Sequence, residues 1–299
     1  MDGSSENPPL APGLYLVATP IGNLEDITLR ALRILRSVDR IACEDTRQTS
    51  KLLGHFGITT PTVSYHAHNE ASRANELLEA LQQGGRIAVV SDAGTPGIAD
   101  PGSVLAREAI DAGIDVFPIP GANAAINALI ASGLLAERFA FHGFLPSKEG
   151  ARRTTFEAVR ESLPHSEPST HVFYETPHRI IAALEDIVST FGAAHRVALA
   201  RELTKLHEEF IRGTAGEVLA ALQSRPSIRG EMVLLLDGTP TLALHPAGET
   251  VHATLGAEVA ALIKSGLSEK DALKQAAKSR GLGKSEAYRE WQRTQPRKR

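Results

Sequence analysis

Short, nearly unbroken apolar runs recur along the chain at Leu14–Ala18, Ile87–Val90, Phe139–Phe141, Val172–Tyr174, Val197–Ala200 and Met232–Leu236. Several end in Gly, Pro or Asp, as strands buried on both faces tend to do where they run into loops. Between them, Leu29, Leu32 and Leu35, then Leu77, Leu78 and Leu81, then Ile180, Ile181, Leu184 and Ile187 fall at helical spacing. Each set lines one side of a helix and predicts an amphipathic element with that side inward. Strand and helix patterns alternate across residues 13–238. The alternation predicts an α/β architecture, with mostly parallel pairing in at least the first half.

Punctuation divides the chain further. Residues 1–12 are polar and acidic with three prolines, and are expected to form a disordered leader. A Pro-rich corner at Pro118–Gly121 precedes the Ala-rich helix pattern at Ala122–Ala131. It separates an N-terminal α/β domain over 13–119 from a second over 120–238. Residues 239–252 read as a linker, and 253–299 as a helical extension.

Charge changes the picture at that end. The whole chain carries a net −3, yet Lys278–Arg299 holds eight basic and two acidic residues. That +6 segment, with Tyr288 and Trp291 as possible stacking groups, is a candidate RNA contact or a solvated terminus. The longest aliphatic runs, such as Met232–Leu236, fall far short of the ~20 residues a membrane helix needs. The single cysteine, Cys43, excludes an internal disulfide and any zinc site with two thiolates. A cytoplasmic setting is expected.

The familiar nucleotide and metal motifs are absent. Gly283-Lys284-Ser285 lacks the earlier P-loop glycine, His207-Glu208-Glu209 lacks a second histidine at 211, and no Gly-x-Gly-x-x-Gly occurs. His66 and His68 share one face of an extended segment, but no further ligand cluster accompanies them and no metal is expected. The unusual residues instead follow the strands. They are Thr19 to Leu24, Ser91 to Gly102, Pro118 to Ala125 and Tyr174 to Arg179, all rich in Gly, Pro and small polar residues. In an open α/β sheet ligands bind outside the carboxyl ends of strands, and such loops let backbone approach a ligand closely.

Thr19-Pro20-Ile21-Gly22-Asn23-Leu24-Glu25-Asp26-Ile27, Cys43-Glu44-Asp45-Thr46-Arg47, Ser64 to Glu70 and Ser91 to Gly102 together resemble one family. So do Gly143-Phe144-Leu145-Pro146, Tyr174 to Arg179 and Arg201-Glu202-Leu203-Thr204-Lys205. The family is the 16S ribosomal RNA cytidine 2′-O-methyltransferase I group, a branch of the tetrapyrrole methylase superfamily. The resemblance covers roughly residues 13–238. It implies a two-domain α/β fold with S-adenosyl-L-methionine in the cleft between the domains, plus a small helical C-terminal extension and usually a homodimer. It also implies 2′-O-methylation of a cytidine in the decoding region of 16S rRNA, with the rRNA or the 30S subunit as partner. Carried onto this chain, the donor contacts are Pro20, Gly94, Thr95, Pro96, Ile98, Asn123, Ala124, Glu175, Glu231 and Met232.

Methyl transfer to a ribose hydroxyl needs in-line positioning, and a group that takes the hydroxyl proton or steadies the alkoxide. Glu44, Asp45, His66, His68, Glu175 and Glu202 are the candidate bases, with Arg47, Arg201 and Lys205 as stabilisers. Each has an ordinary alternative. Asp45 is also a natural N-cap, and Arg201-Glu202 with Lys205 and Glu208 is also a plausible ion network. Arg47, Lys51, His66, Arg152, Arg153 and Arg179 are candidates for positive surface at the cleft mouth. Two other functions fit part of the pattern. They are a precorrin or porphyrinogen C-methyltransferase of the same superfamily, and a non-catalytic RNA-binding assembly factor.

Overall fold

The computed structural model describes residues 9–66, 70–100 and 102–239, and beyond them 259, 262–263, 267–279, 287 and 291. The first half forms a five-stranded sheet of β1 (Gly13–Val17), β2 (Arg40–Cys43), β3 (Thr62–Ser64), β4 (Arg86–Val90) and β5 (Val116–Ile119). Its order is β3-β2-β4-β1-β5, and every pairing is parallel. Parallel neighbours need crossovers, and α1 (Leu29–Ser37), α2 (Thr46–His55), α3 (Glu70–Gln82) and α4 (Ser103–Asp111) supply them. Both sheet faces are therefore covered. Leu14, Ile87 and Val89 lie in one core with Leu77, Leu81 and Leu105, while Tyr15, Val17 and Ala88 lie in another with Ile34 and Leu35.

The second half forms a mixed sheet of β6 (Phe139–Phe144), β7 (Thr170–Glu175), β8 (Arg196–Arg201), β9 (Glu209–Thr214) and β10 (Met232–Asp237). Its order is β6-β7-β10-β8-β9, parallel only between β6 and β7. The strand period of two sorts its side chains. Met232, Leu234 and Leu236 pack with Phe173 and Leu199 under α6 (Glu149–Ser162), α7 (Ile180–Phe191) and α8 (Ala215–Gln223). Val233 and Leu235 face the other way, onto Ala125, Ala128 and Leu129 of α5 (Ala124–Ser132). Both sheets fall in one compact unit, residues 1–240, and a second unit begins at Thr241.

The apolar runs located six strands, and β2, β3, β5 and β9 fall outside them; β5 is interrupted by Pro118. β2 and β3 are very short, and β9 is a half-buried edge strand whose apolar content is confined to Phe210 and Ile211. In the second unit α9 (Glu269–Ser279) is described, whereas Tyr288, residues 240–252 and most of the basic segment lie outside the described residues. Trp291 is not a free stacking platform. It is buried with Val259, Ala272, Ala276 and Ala287, and its Nε1 donates to Glu269 Oε1 at 2.9 Å. Among the described residues no helix is long and apolar enough to cross a membrane.

Arg152 is likewise not a surface cation. Its guanidinium is buried between α6 and α7, with Nε 2.7 Å from Asp186 Oδ2, while half-exposed Arg153 reaches Asp186 Oδ1 at 2.7 Å. A guanidinium withdrawn from water is tolerable only beside an opposite charge, and Asp186 provides it.

Buried His171 should make the second sheet acid-sensitive. His142 Nε2 lies 2.9 Å from His171 Nδ1 across β6 and β7, and His195 Nε2 lies 2.7 Å from the Asp237 carbonyl oxygen. Burial, then the nearby His142 and His195, pulls His171 down to about 4. The unfolded chain therefore binds more protons than the fold between the ordinary histidine range and that value. Stability should be full above about pH 6.5 and decline as pH falls towards 4, with His171 contributing roughly 2–3 kcal/mol of the loss. Urea unfolding at about pH 7 and about pH 4.5 measures this, and His171→Gln should flatten the difference. An equal loss in that variant would locate the acid sensitivity elsewhere.

Candidate active site

The loops after β1, β4 and β5 are tied to one another. Thr19 and Gly94 form an isolated bridge, N to O at 2.9 and 3.0 Å, which locks the β1 loop to the β4 loop. Thr95 Oγ1 donates to the Ala122 carbonyl at 3.2 Å, and Asn123 Nδ2 donates to Thr95 Oγ1 at 3.4 Å. Asn123 also caps α5, its Oδ1 accepting from Ile126 N at 3.1 Å. Gly94 has φ +86, and a Cβ there would sit 3.3 Å from Ile21 Cγ2, so glycine meets both the backbone and the packing demand.

These loops and the ends of β7, β8 and β10 enclose a cavity of about 690 Å³. Gly94, Thr95, Ile98, Asn123 and Ala124 line it from the first side; Glu175, Glu202, Glu231 and Met232 line it from the second. Pro20 and Pro96 are not among the lining residues, although both belong to the loops that shape it.

Charge on the wall is one-sided. Among the described residues, Glu44, Asp92, Asp100, Glu175, Glu202 and Glu231 face a single lining cation, Lys205. Lys205 is already engaged, with Nζ 2.8 Å from Glu202 Oε1 and 2.9 Å from Glu231 Oε2. The stem of Lys205 passes where a side chain on Gly22 would stand. The Lys205 hydrogen bond draws the Glu202 carboxyl down, against burial, with help from the Glu231 N–H. Glu202 and Thr204 hold left-handed φ of 52 and 67, and Ala99 on the opposite loop holds 64. Such backbone is costly for residues with a Cβ, and tends to persist where function requires it.

Glu175 is the most confined carboxylate. Its side chain is 0% exposed, and Oε1 accepts from Thr176 N at 2.7 Å and forms an ion pair with Arg179 Nε at 2.7 Å. Its Oε2 is buried without a hydrogen-bond partner among the described residues. A buried carboxylate oxygen left in that state is costly, and a ligand bearing positive charge or N–H groups relieves it. Arg179, a candidate from sequence for positive surface at the cleft mouth, is instead the partner of Glu175.

The other candidates are distributed as follows. Asp45 caps α2, with Oδ1 accepting from Arg47 N at 2.8 Å, and its carboxylate pairs with the well-exposed Arg47 guanidinium at 3.0 Å. Neither residue lines the cavity, nor does half-buried His66, which faces Glu44. His68 lies outside the described residues. Arg201 is committed to Glu209 at 3.0 Å, beside Arg225, and the two guanidinia hold Glu209 down to about 2. Sequence reasoning passed over Asp92 and Asp100. Both stand in the Ser91–Gly102 loop that drew attention for its glycines, and two carboxylates beside such a loop were the available signal. Burial, then repulsion from Glu44 and Asp92, pushes the Asp100 carboxyl up to about 6, and burial with Asp92 also raises Glu44.

Two α/β sheets with an acid-lined cavity at their loop ends define a tetrapyrrole-methylase fold, and the comparisons agree. The family model for Tetrapyrrole (Corrin/Porphyrin) Methylases matches residues 13–219. A solved structure described as diphthine synthase superimposes with TM-score 0.58 at 15% identity, covering 75% of this chain and 89% of the other, a likeness of fold alone. Much closer in sequence is Ribosomal RNA small subunit methyltransferase I of Halalkalibacterium halodurans, 47% identical over 92% of this chain and 93% of the relative. The protein of the same name in Escherichia coli O157:H7 is 46% identical over 92% and 93%. The chain belongs to the ribosomal RNA small subunit methyltransferase I family, within the tetrapyrrole methylases.

Proposed function

We propose that this protein transfers a methyl group from S-adenosyl-L-methionine to the ribose 2′-hydroxyl of a cytidine in the decoding region of 16S rRNA. The observation that carries the donor half is the cavity wall, six carboxylates against one already paired lysine, with the orphaned Glu175 Oε2 among them. A sulfonium donor suits that wall, since it brings positive charge on a largely apolar body. Bound there, it supplies an electrophilic methyl carbon.

This chain's residues would supply position. The Gly94-Thr95 turn and the Asn123-Ala124 helix start offer backbone and amide groups. Ile98 and Met232 offer apolar contact, and Glu175 offers the counter-charge. Holding donor and acceptor in line can account for ~7–11 kcal/mol of the barrier. The acceptor half rests on the relatives named above. An acid-lined cavity repels phosphate, so only the sugar edge of a nucleotide enters while the RNA backbone stays outside. Exposed Arg47 and Lys51 on α2, which begins just beyond Glu44, are the phosphate contacts in this reading. Work in the cytoplasm as a homodimer is expected. Ile126 and Ile130, exposed one turn apart on α5, offer an apolar patch for the second copy.

The decisive experiment incubates labelled donor separately with 30S subunits, naked 16S rRNA and a tetrapyrrole precursor, then locates the label by nuclease digestion. Label on a cytidine ribose is expected. Transfer to a base, or only to the tetrapyrrole, would overturn the reading.

A further inference from the structure

Two aromatic side chains, Phe144 and Tyr174, stand among the described residues that line the cavity. They come from neighbouring strands, and Phe144 is out of step with its own. Along β6 the alternation sends Phe141 to the α5 side of the sheet, with Val172 and Tyr174. It sends His142 to the α6 side, stacked on Phe173 with ring centroids 4.5 Å apart. Continued unbroken, it would carry Phe144 to the α6 side as well. The register prevents this. Phe141 pairs with Val172 and Phe144 with Tyr174, so His142 and Gly143 together stand opposite Phe173 alone. The extra residue is a β-bulge, and a shift of one residue turns every side chain beyond it to the other face.

Gly143 makes the bulge possible. Its φ is +70, and a Cβ there would meet nothing within 4 Å, so glycine serves the left-handed backbone rather than the space. Beyond it, Phe144 joins the α5 side, its ring centroid 5.4 Å from that of Tyr174. Leu145 turns inward instead and is buried in the core under α6 and α7. The backbone after the ring is pinned on both groups of Leu145. Its N–H donates to the Tyr174 carbonyl at 3.2 Å, and its carbonyl accepts from Arg179 Nη1 at 3.4 Å. Arg179 also pairs with Glu175, so one guanidinium helps to hold both the ring and the buried carboxylate. Yet the Phe144 residue is 55% exposed. Bulges concentrate at sheet edges and beside active sites, where they re-aim a side chain, and β6 is the edge strand.

Resting on the rRNA ribose-methylation reading, we propose that the base of the acceptor nucleotide stacks on Phe144. The strand order distributes the two ligands. The donor contacts on the second sheet are Glu175 of β7, Met232 of β10 and the adjoining Glu231, which leaves the end of β6 to the acceptor. A base stacked there lies one strand away from Glu175, the counter-charge of the sulfonium in that reading, and its sugar is brought towards the methyl group. The cavity acids repel phosphate but not a neutral flat ring. Aromatic stacking on splayed-out bases is the common device for holding unpaired RNA, and it accepts any base because every base has a π face. Phe144 therefore places the nucleotide, and does not select which base it carries.

The test is single-turnover transfer to 30S subunits at saturating S-adenosyl-L-methionine and varied subunit concentration, with donor affinity measured by calorimetry on the same variants. Phe144→Leu keeps an apolar side chain and removes the π face. It should lower transfer at subsaturating 30S subunits by about 10-fold, while donor affinity, which also reports an intact fold, stays within about threefold of wild type. Phe144→Trp restores a ring and should transfer within about threefold of wild type. A loss of under about fivefold in Phe144→Leu, or a Phe144→Trp variant as impaired as Phe144→Leu, would overturn the proposal. So would a fall in donor affinity that matches the loss of transfer, which would put the ring against the adenine of the donor. Ribose product with no dependence on Phe144 defeats this inference alone. A methyl placed by the wild-type protein on a base or on a tetrapyrrole defeats the reading beneath it.

Discussion

Replacing Glu175 by glutamine should weaken S-adenosyl-L-methionine binding by about 10- to 100-fold, read by calorimetry with the purified protein. The size follows from losing one charge-assisted contact, roughly 1.5–3 kcal/mol. Glu175 is suited to that role because its side chain is fully buried while Oε2 has no hydrogen-bond partner among the described residues. The other oxygen is fixed by Arg179 Nε and Thr176 N, so the carboxylate holds one orientation without the ligand's help. Glutamine keeps the shape and removes the charge. A neutral analogue of the donor that lacks the sulfonium should lose less affinity than the donor itself. Unchanged donor affinity in Glu175→Gln would mean that Oε2 does not meet the ligand.

Asp186→Ala should cost the fold about 3–5 kcal/mol, the usual penalty for stranding one member of a buried ion pair. Its side chain is 3% exposed and that of Arg152 is 6% exposed, so neither charge is repaid by water. Losing Asp186 leaves the Arg152 guanidinium uncompensated between α6 and α7, against the Phe156 and Ile187 core. Arg153→Ala removes only the half-exposed partner and should change stability by no more than about 1 kcal/mol. Combining Arg152→Met with Asp186→Leu should recover most of the loss, since an apolar pair of similar volume can replace a buried bridge. Urea unfolding of the three variants checks the order. A small effect for Asp186→Ala would show that Arg152 swings out to solvent.

The loops that line the cavity were legible in the sequence. Glycine and proline after β1, β4 and β5 mark backbone that is neither helix nor strand, and those segments do become the linked loops around the cavity. Gly94 is the clearest case. The stretch Ser91 to Gly102 reads as a binding loop from composition, and the positive φ with close approach to Ile21 shows why one position had to be glycine. Residues whose role depends on a distant partner were misread. Arg152 and Arg179 looked like surface cations because charge is visible in a sequence and burial beside Asp186 or Glu175 is not. Trp291 looked like a stacking group for the same reason. Asp45 and Arg47 stand together as candidates in sequence and indeed touch, but each satisfies the other away from the cavity wall.

What the sequence by itself determined is therefore local. Apolar periodicity set six of the ten strands and three of the helices, although Leu29 of the first helix faces solvent; loop chemistry marked the segments that line the cavity, and the long motifs set the family. The tertiary structure alone decided which charges meet. Glu44, Asp92 and Asp100 come from two separate loops and share a wall because β2 and β4 are neighbours in the sheet. Glu202, Lys205 and Glu231 close into one bridge because β8 and β10 pair antiparallel. The reason is physical: hydrophobic periodicity is written over a few residues, whereas electrostatic fate depends on burial and on partners that only strand order brings within a few ångströms.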